Sequence, residues 1–295
     1  MMRLLRDKIA SKVMMLLTAI FVLVAVFIGY GLYMRSRPLL ANKSLWELIT
    51  SEGWKPFKGE FGFFPFIMGT VWITLLSILI AMPLCLLTSI YLSEYSHKSI
   101  RQIARPLIDL LAGIPSVIYG IWGVIIVVPL IEKFIIPYST EFSTGYNVLA
   151  GGIVLAIMIF PLIINIITDV FNTIPQELRD ASLSLGATKW ETVKHVILKK
   201  ALPGIIAATV LAISRAFGET IAVLMVCGNI PETPKNLLSP AYPLPALIAN
   251  NFGEMLSIPL YDSALLFAAL LLFLIIFIFN AVSKLILMNI ERKTT

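Results

Sequence analysis

Six long stretches of this sequence carry almost no charge, and no other feature constrains the fold as tightly. Residues 13–33, 65–92, 110–131, 145–168 and 263–283 hold no Asp, Glu, Lys or Arg, and a sixth stretch, 202–228, is interrupted only by Arg215 and Glu219. Each is long enough to cross a hydrocarbon core about 30 Å thick, which takes roughly 20 helical residues. Backbone in lipid must satisfy its own hydrogen bonds, so the runs are expected to be helices. None shows the alternating pattern of a barrel strand. Only 14% of the 295 residues are charged and 58% are hydrophobic, whereas a soluble domain carries about 25% charged residues. Disorder, a disulfide scaffold and most soluble enzyme folds are thereby excluded. The expected fold class is an all-α polytopic membrane protein with six transmembrane helices.

The basic residues give the orientation. Fifteen of the 23 Lys and Arg fall in the N-terminal tail, the 93–109 loop, the 169–200 segment and the C-terminal tail, seven fall in the alternate segments, and Arg215 lies inside a run. Positive residues favour the cytoplasmic side, which places both termini in the cytoplasm of a multi-pass protein of the cell (inner) membrane. The net charge of +6 is then a topology signal. A nucleic-acid partner would require a basic face on a soluble domain, and the sequence has none. The first run is longer than the apolar core of a signal peptide and no clear A-x-A site follows it, so a retained helix is expected. Cys85 and Cys227 sit within predicted spans and read as small buried apolar residues; two cysteines make neither a disulfide framework nor a CxxC metal site. His97 and His195 have no partners at ligand spacing and read as solvated. No metal or other cofactor is expected on this chain.

The segments between the runs are more specific. External segment 229–261 contains Pro231, Pro234, Pro240, Pro243 and Pro245, which suits an irregular or short-helical cap. At this length it exceeds an ordinary connector; it is either a plain link or a docking surface for an external partner. In the cytoplasmic segment, Pro175 suits a helix start, with Glu177 and Asp180 near the positive dipole end. Leu178, Ala181 and Leu185 recur at helical spacing, Gly186 is a natural left-handed stop, and Thr188 with Glu191 fits a capping box that opens a second helix. An interfacial helix lying on lipid is one reading of this stretch, but an acidic start with the single Arg179 suits anionic headgroups poorly. A narrow apolar stripe with small residues suits a groove on another protein better.

Arg215 falls near the middle of its run, where an Arg costs about 2.5–3.5 kcal/mol on insertion scales. Glu219, four residues on, would share its helix face and lower that penalty as an intrahelical pair. The pair can be structural, facing a neighbouring helix, or it can face a translocation pathway, where the Arg fork suits oxyanion oxygens. Ser214 and Thr220 could add hydroxyls, although such side chains in membrane helices often bond to backbone. Asp109 and Arg105 read as an i,i+4 structural pair. The Gly113-x-Pro115 step behind them can break the helix where backbone lines a cavity or is buried in protein, with Ser116 and Tyr119 as further pathway candidates. Gly69, Gly120, Gly123, Gly151 and Gly152 are expected at close helix contacts.

Three stretches carry a family resemblance that covers essentially residues 60–290. Asp180-Ala181-Ser182, followed after three residues by Gly186, resembles the "EAA" loop of ABC-importer permeases, with Asp for Glu and Ser for the second Ala. Downstream, Val196 stands for the usual Ile, Leu198 matches, and Lys199 occupies the consensus Pro position, with Leu202-Pro203 close behind. Ala112-Gly113-Ile114-Pro115-Ser116-Val117-Ile118-Tyr119-Gly120 and Arg215-Ala216-Phe217-Gly218-Glu219-Thr220-Ile221-Ala222-Val223 resemble segments of phosphate-specific ABC permeases. Cys227-Gly228-Asn229 and the long N-terminal span with its external loop look more like the C-type subunit than the A-type. The resemblance implies a type I ABC importer permease architecture. Its cytoplasmic coupling helix, between spans four and five, would dock on an ATPase through Glu177, Asp180, Ala181, Ser182, Leu185 and Gly186. It further implies a substrate pathway at Arg215, Glu219, Ser214, Thr220, Ser116 and Tyr119, and three kinds of partner: a second related permease, a cytoplasmic ATPase dimer that uses the ATP, and an external phosphate-binding protein.

On this reading residues 1–60 comprise the N-terminal tail, first helix and external loop, residues 61–290 the transmembrane domain with coupling segment 174–200, and residues 291–295 a cytoplasmic tail. The chain carries no G-x-x-x-x-G-K-[ST] phosphate loop, so ATP hydrolysis is expected in a partner and the chain is not expected to be an enzyme. The alternatives are an ion-coupled secondary carrier of a small anion, for which no internal repeat is evident, and an intramembrane enzyme, for which HExxH, GxSxG and paired carboxylates are absent.

Overall fold

The computed structural model describes residues 2–139, 143–254 and 258–294, with backbone only for 2–9 and 289–294. Residue 295 and the side chains of Arg3, Arg6, Lys8, Arg292 and Lys293 therefore lie outside what is described. The described chain is almost wholly helical: α1 Met2–Asn42, α2 Leu45–Thr50, α3 Phe64–Ile90, α4 Lys98–Ala112, α5 Ser116–Trp122, α6 Val128–Phe134, α7 Val148–Thr173, α8 Gln176–Ser184, α9 Lys189–Thr192, α10 Leu198–Phe217, α11 Ile221–Val226, α12 Leu244–Asn251 and α13 Tyr261–Thr294. A small hairpin, β1 Trp54–Lys55 and β2 Glu60–Phe61, sits between α2 and α3. Among the described residues, six helical stretches have the length and hydropathy to cross a bilayer: 10–42, 64–95, 116–138, 148–173, 189–217 and 261–288.

Three of these stretches are built from two helices or extended by a wide π turn, at 91–95, 123–127 and 193–197. The turns at 123–127 and 193–197 each insert a residue without ending the helix, while the turn at 91–95 closes its helix at the extended Ser96. This is why α5 and α6 form one crossing, and α9 and α10 another.

The largest core lies where α7 meets α3, α10 and α11. Gly151 and Gly152 on α7 permit this approach: a Cβ on the first would strike the Cys227 sulfur, and on the second the Leu76 side chain. Small residues at such contacts are what helix packing in lipid requires, because apolar side chains gain little by leaving one oily solvent for another. Both cysteines are fully buried and unpaired. A second cluster closes one end of the molecule, joining the ends of α1 and α3 to α12, α13 and the hairpin. Trp54 is its hub, in edge-on contact with Phe61, Phe63 and Phe66 at 5.6, 5.5 and 5.0 Å. The proline-rich 229–243 segment folds over this end, fixed by the Gly228–Ala241 bridge and by the Thr70 hydroxyl, which accepts from Leu244 N–H at 2.9 Å at the start of α12. α1 packs mainly along α13 and leaves most of its surface open, as suits a helix solvated by lipid.

Two expectations are corrected here. The run 110–131 is not one crossing: α4 ends at Ala112 and the span begins at Ser116. The apolar residues 110–112 complete the open face of α4, with Ile103, Leu107 and Leu110 all exposed. The run 202–228 is likewise not one helix, for α10 stops at Phe217 and α11 restarts at Ile221.

Candidate functional site

The two interrupted helices lie side by side. α5 packs against α11 so closely that a Cβ on Gly120 would sit 3.2 Å from the Ala222 Cα and 2.6 Å from the Met225 sulfur. The first interruption follows from Gly113 and Pro115. Pro115 carries no N–H to donate and its ψ of 142° turns the chain extended before α5, so the α-helical ladder cannot run through. Tyr119 spans the gap: its buried hydroxyl donates to the Leu111 carbonyl at 2.8 Å. Tyr119 therefore holds the broken ends together. Ser116 is the first residue of α5 and is half-buried.

The second interruption alters the Arg215–Glu219 expectation. Arg215 is in the last turn of α10, where the helix closes on Gly218 through its N–H to the Arg215 carbonyl. Glu219 lies beyond the helix end, and its Oε1 accepts from Ala222 N–H at 3.2 Å, at the start of α11. Among the described residues no ion pair joins Arg215 to Glu219. They do not share a continuous helix face. Arg215 is instead stabilised by the negative end of α10, and Glu219 by the positive end of α11. Arg215 is exposed in this chain and within electrostatic reach of Tyr119. Glu219 is half-buried and helps line a small cavity with Thr70, Thr74, Pro243 and Pro245. The Ser214 hydroxyl lies 2.9 Å from both the Val210 carbonyl and Asn280 Oδ1 on α13, and its single proton serves one acceptor at a time; Thr220 donates to the Gly218 carbonyl at 3.2 Å. Arg215 and Tyr119 thus approach each other across the paired breaks, Ser116 opens the helix after the first break, and Ser214 ties α10 to α13.

Between α7 and α9, α8 is a short helix with none of its residues fully buried. It ends in a Schellman turn: Gly186 N–H donates to the Leu183 carbonyl at 3.0 Å, Ala187 N–H to the Ser182 carbonyl at 3.3 Å, and Gly186 has φ +86°. Glycine takes this left-handed conformation without steric cost. Thr188 and Glu191 then form the full capping box, with Thr188 N–H donating to Glu191 Oε2 at 2.7 Å and Glu191 N–H to Thr188 Oγ1 at 3.3 Å. The Ser182 and Thr192 hydroxyls meet at 2.9 Å. Leu178, Ala181 and Leu185 are all exposed, Leu185 by 90%, and Leu183 and Trp190 extend the open apolar area. Glu177 and Asp180 are exposed on the same helix, Asp180 accepting from Gln176 Nε2 at 3.1 Å.

Sequence reasoning overlooked the polar contacts that hold this end together. Arg179 forms a salt bridge with Glu94 at 2.7 Å, with only 13% and 7% of the two side chains exposed. Its location offered a hint, since a cation in the first turn of a helix opposes the dipole and needs an anion from elsewhere. The expected Arg105–Asp109 pair is also replaced. Arg105 pairs with Asp169 on α7 at 2.7 Å, and Asp109 accepts from Asn165 at 2.8 Å. The α7 side chains outcompete the local partner, a choice no i,i+4 spacing reveals. His97 and His195 are exposed, and among the described residues no cluster of His, Cys, Asp or Glu could hold a metal.

Comparison with known proteins places this arrangement. Residues 85–294 match the family described as binding-protein-dependent transport system inner membrane component. The chain is 36% identical over 262 residues to the phosphate transport system permease protein PstC of Mesorhizobium japonicum, covering 84% of this chain and 80% of that protein. It is 34% identical over 278 residues to the probable PstC of Methanocaldococcus jannaschii, with 89% and 87% covered, and 38% identical over 233 residues to the probable ABC transporter permease protein YqgH of Bacillus subtilis, with 78% and 74% covered. Among solved structures, a chain of the inward-facing MetNI methionine ABC transporter superposes with a TM-score of 0.58 at 18% identity, covering 75% of this chain and 93% of that one. A chain of a bacterial ABC transporter that imports alginate gives the same TM-score at 16% identity, covering 93% and 95%. The fold is therefore that of a type I ABC importer permease.

Proposed function

The chain belongs to the binding-protein-dependent transport system inner membrane component family, and from that premise we infer that it is the membrane-spanning permease subunit of an ATP-driven phosphate importer, of the C type. Phosphate is the substrate named for relatives that match most of its length. The observation that carries the substrate reading within this chain is Arg215, an exposed guanidinium at a helix end beside a second broken helix.

Arg215 suits phosphate because its planar fork offers paired donors to two oxygens while keeping a fixed positive charge. It differs from a storage site in one respect. The carbonyl end of α10 already shares its charge, and Glu219 lies just past that end, so phosphate would be held weakly enough to leave. Tyr119 and Ser116 would line the same passage, with Ser214 and Thr220 supporting its wall.

The exposed α8 stripe with Leu185 and Trp190 would dock in a groove of a cytoplasmic ATPase. That partner, as a dimer, would bind and hydrolyse ATP, while this chain would hold no cofactor. A second, related permease would complete the pathway, and the external cap would receive phosphate from a binding protein. The charge distribution supports cytoplasmic termini in the inner membrane.

Co-purification tests the assembly: a second permease and an ATPase should accompany the solubilised chain, and a lone, active polypeptide would overturn the reading. Loss of one charged hydrogen bond costs about 1.5–3 kcal/mol, so Arg215→Ala should slow phosphate uptake roughly ten- to hundredfold at normal membrane abundance. Full uptake in that variant would remove Arg215 from the pathway. Uptake that survived ATP depletion but collapsed with an uncoupler would instead identify an ion-coupled carrier.

A further inference from the structure

The Arg179–Glu94 contact joins three parts of the chain through one guanidinium. Nε and Nη2 both donate to the Glu94 carboxylate, at 3.2 and 2.7 Å. Nη1 donates to the Ile174 carbonyl at 2.7 Å and Nη2 to the Phe171 carbonyl at 3.0 Å. Arg179 belongs to the first turn of α8, Phe171 to the last turn of α7, and Glu94 to the π turn that extends α3. Almost every donor on the fork is therefore used, and both ions are withdrawn from water. A buried pair of this kind is weak evidence for stability alone, because desolvation offsets much of its attraction. What it supplies is a fixed geometry between the elements that it joins.

On its other side α8 packs against α9 and the π turn at 193–197, without any buried ion pair among the described residues. Towards α9 it has a hydroxyl contact from Ser182 to Thr192 and an open turn at Gly186, around which a Cβ would meet no atom within 4 Å. Towards α7 and α3 it has the four-way Arg179 clamp, and these two helices share the most extensive contact in the molecule.

We propose that Arg179 and Glu94 are positioning residues that lock the docking helix to the α3–α7 pair, so that a push on α8 moves that pair as one body. The proposal rests on reading α8 as the ATPase contact. Without the clamp, α8 can rock at its docking site without carrying α3 along, and ATP is spent without transport.

The test uses the assembled transporter in vesicles with its binding protein, and reads phosphate moved per ATP hydrolysed. Glu94→Gln is nearly isosteric and lies outside the docking helix. Both Glu94→Gln and Arg179→Leu should keep hydrolysing ATP while the ratio drops about tenfold or more, the scale of losing one charged hydrogen bond. Arg179→Lys, which keeps the charge but loses the fork, should fall between these and the wild type. A ratio unchanged in Glu94→Gln overturns the proposal, as does a loss of transport that only parallels a loss of hydrolysis. If Arg179→Leu fails to fold, it appears as a complex depleted of ATPase, and Glu94→Gln then decides alone. Leu185→Asp, on the exposed stripe, serves as the control. If it leaves the ATPase bound, the docking reading itself fails; if it releases the ATPase while Glu94→Gln keeps its ratio, only the clamp fails.

Discussion

Two glycines with opposite surroundings separate backbone strain from crowding. At Gly186 the φ of +86° is left-handed and the space for a Cβ is empty. Gly186→Ala should therefore cost only the conformational penalty, about 1–2 kcal/mol, and Gly186→Asn less, since Asn visits this region more readily. At Gly123 the backbone is helical, but a Cβ would stand 2.6 Å from a Val154 methyl and 2.9 Å from one of Val226. Gly123→Ala should destabilise by about 1–3 kcal/mol through overpacking. Gly31→Ala, in the open part of α1 with no neighbour within 4 Å, should be neutral or slightly stabilising, since Ala is the better helix former by up to about 1 kcal/mol. Thermal unfolding of the three variants in one detergent gives the order: Gly123→Ala lowest, Gly186→Ala next, Gly31→Ala at or above the wild type.

Among the elements, those closed by local chemistry were legible in the sequence. The α8–α9 corner is an example, because Gly186 and the Thr188–Glu191 box act within a few residues of the ends they define. Thr188→Ala removes the cap oxygen and should cost about 1 kcal/mol, with hydrogen exchange rising first in the amides of 189–192. The α4–α5 break was legible for the same reason, since Pro115 imposes it locally. The α10–α11 break was not. Arg215 and Glu219 have helical spacing, and an apolar stretch of that length reads as one crossing. What ends α10 is that Gly218 closes the last turn while Glu219 turns to the first amides of α11. Those positions are favourable because α11 has α5 and α7 to pack against, a tertiary gain invisible in one segment. The same blindness hid Arg105–Asp169 and Arg179–Glu94, whose partners lie 64 and 85 residues apart.

For the whole molecule, the distribution of basic residues predicts a single orientation, and the native cysteines make it easy to test. Cys85 and Cys227 are fully buried, so the wild-type protein should be silent to a membrane-impermeant thiol reagent. Leu185→Cys and Tyr138→Cys each replace a side chain that is 90% exposed. The first should be labelled only from the cytoplasmic side and the second only from outside; equal labelling from one side would overturn the topology. The π turn at 193–197 bears on the same geometry at a finer level. A regular helix advances about 100° per residue, and this turn adds one residue between the α8–α9 corner and α10. Deleting the exposed Lys194 would return the helix to regular winding and swing the corner about 100° around the α10 axis. The compass bearing at which α8 leaves the bundle is thus set by a single residue's worth of slack.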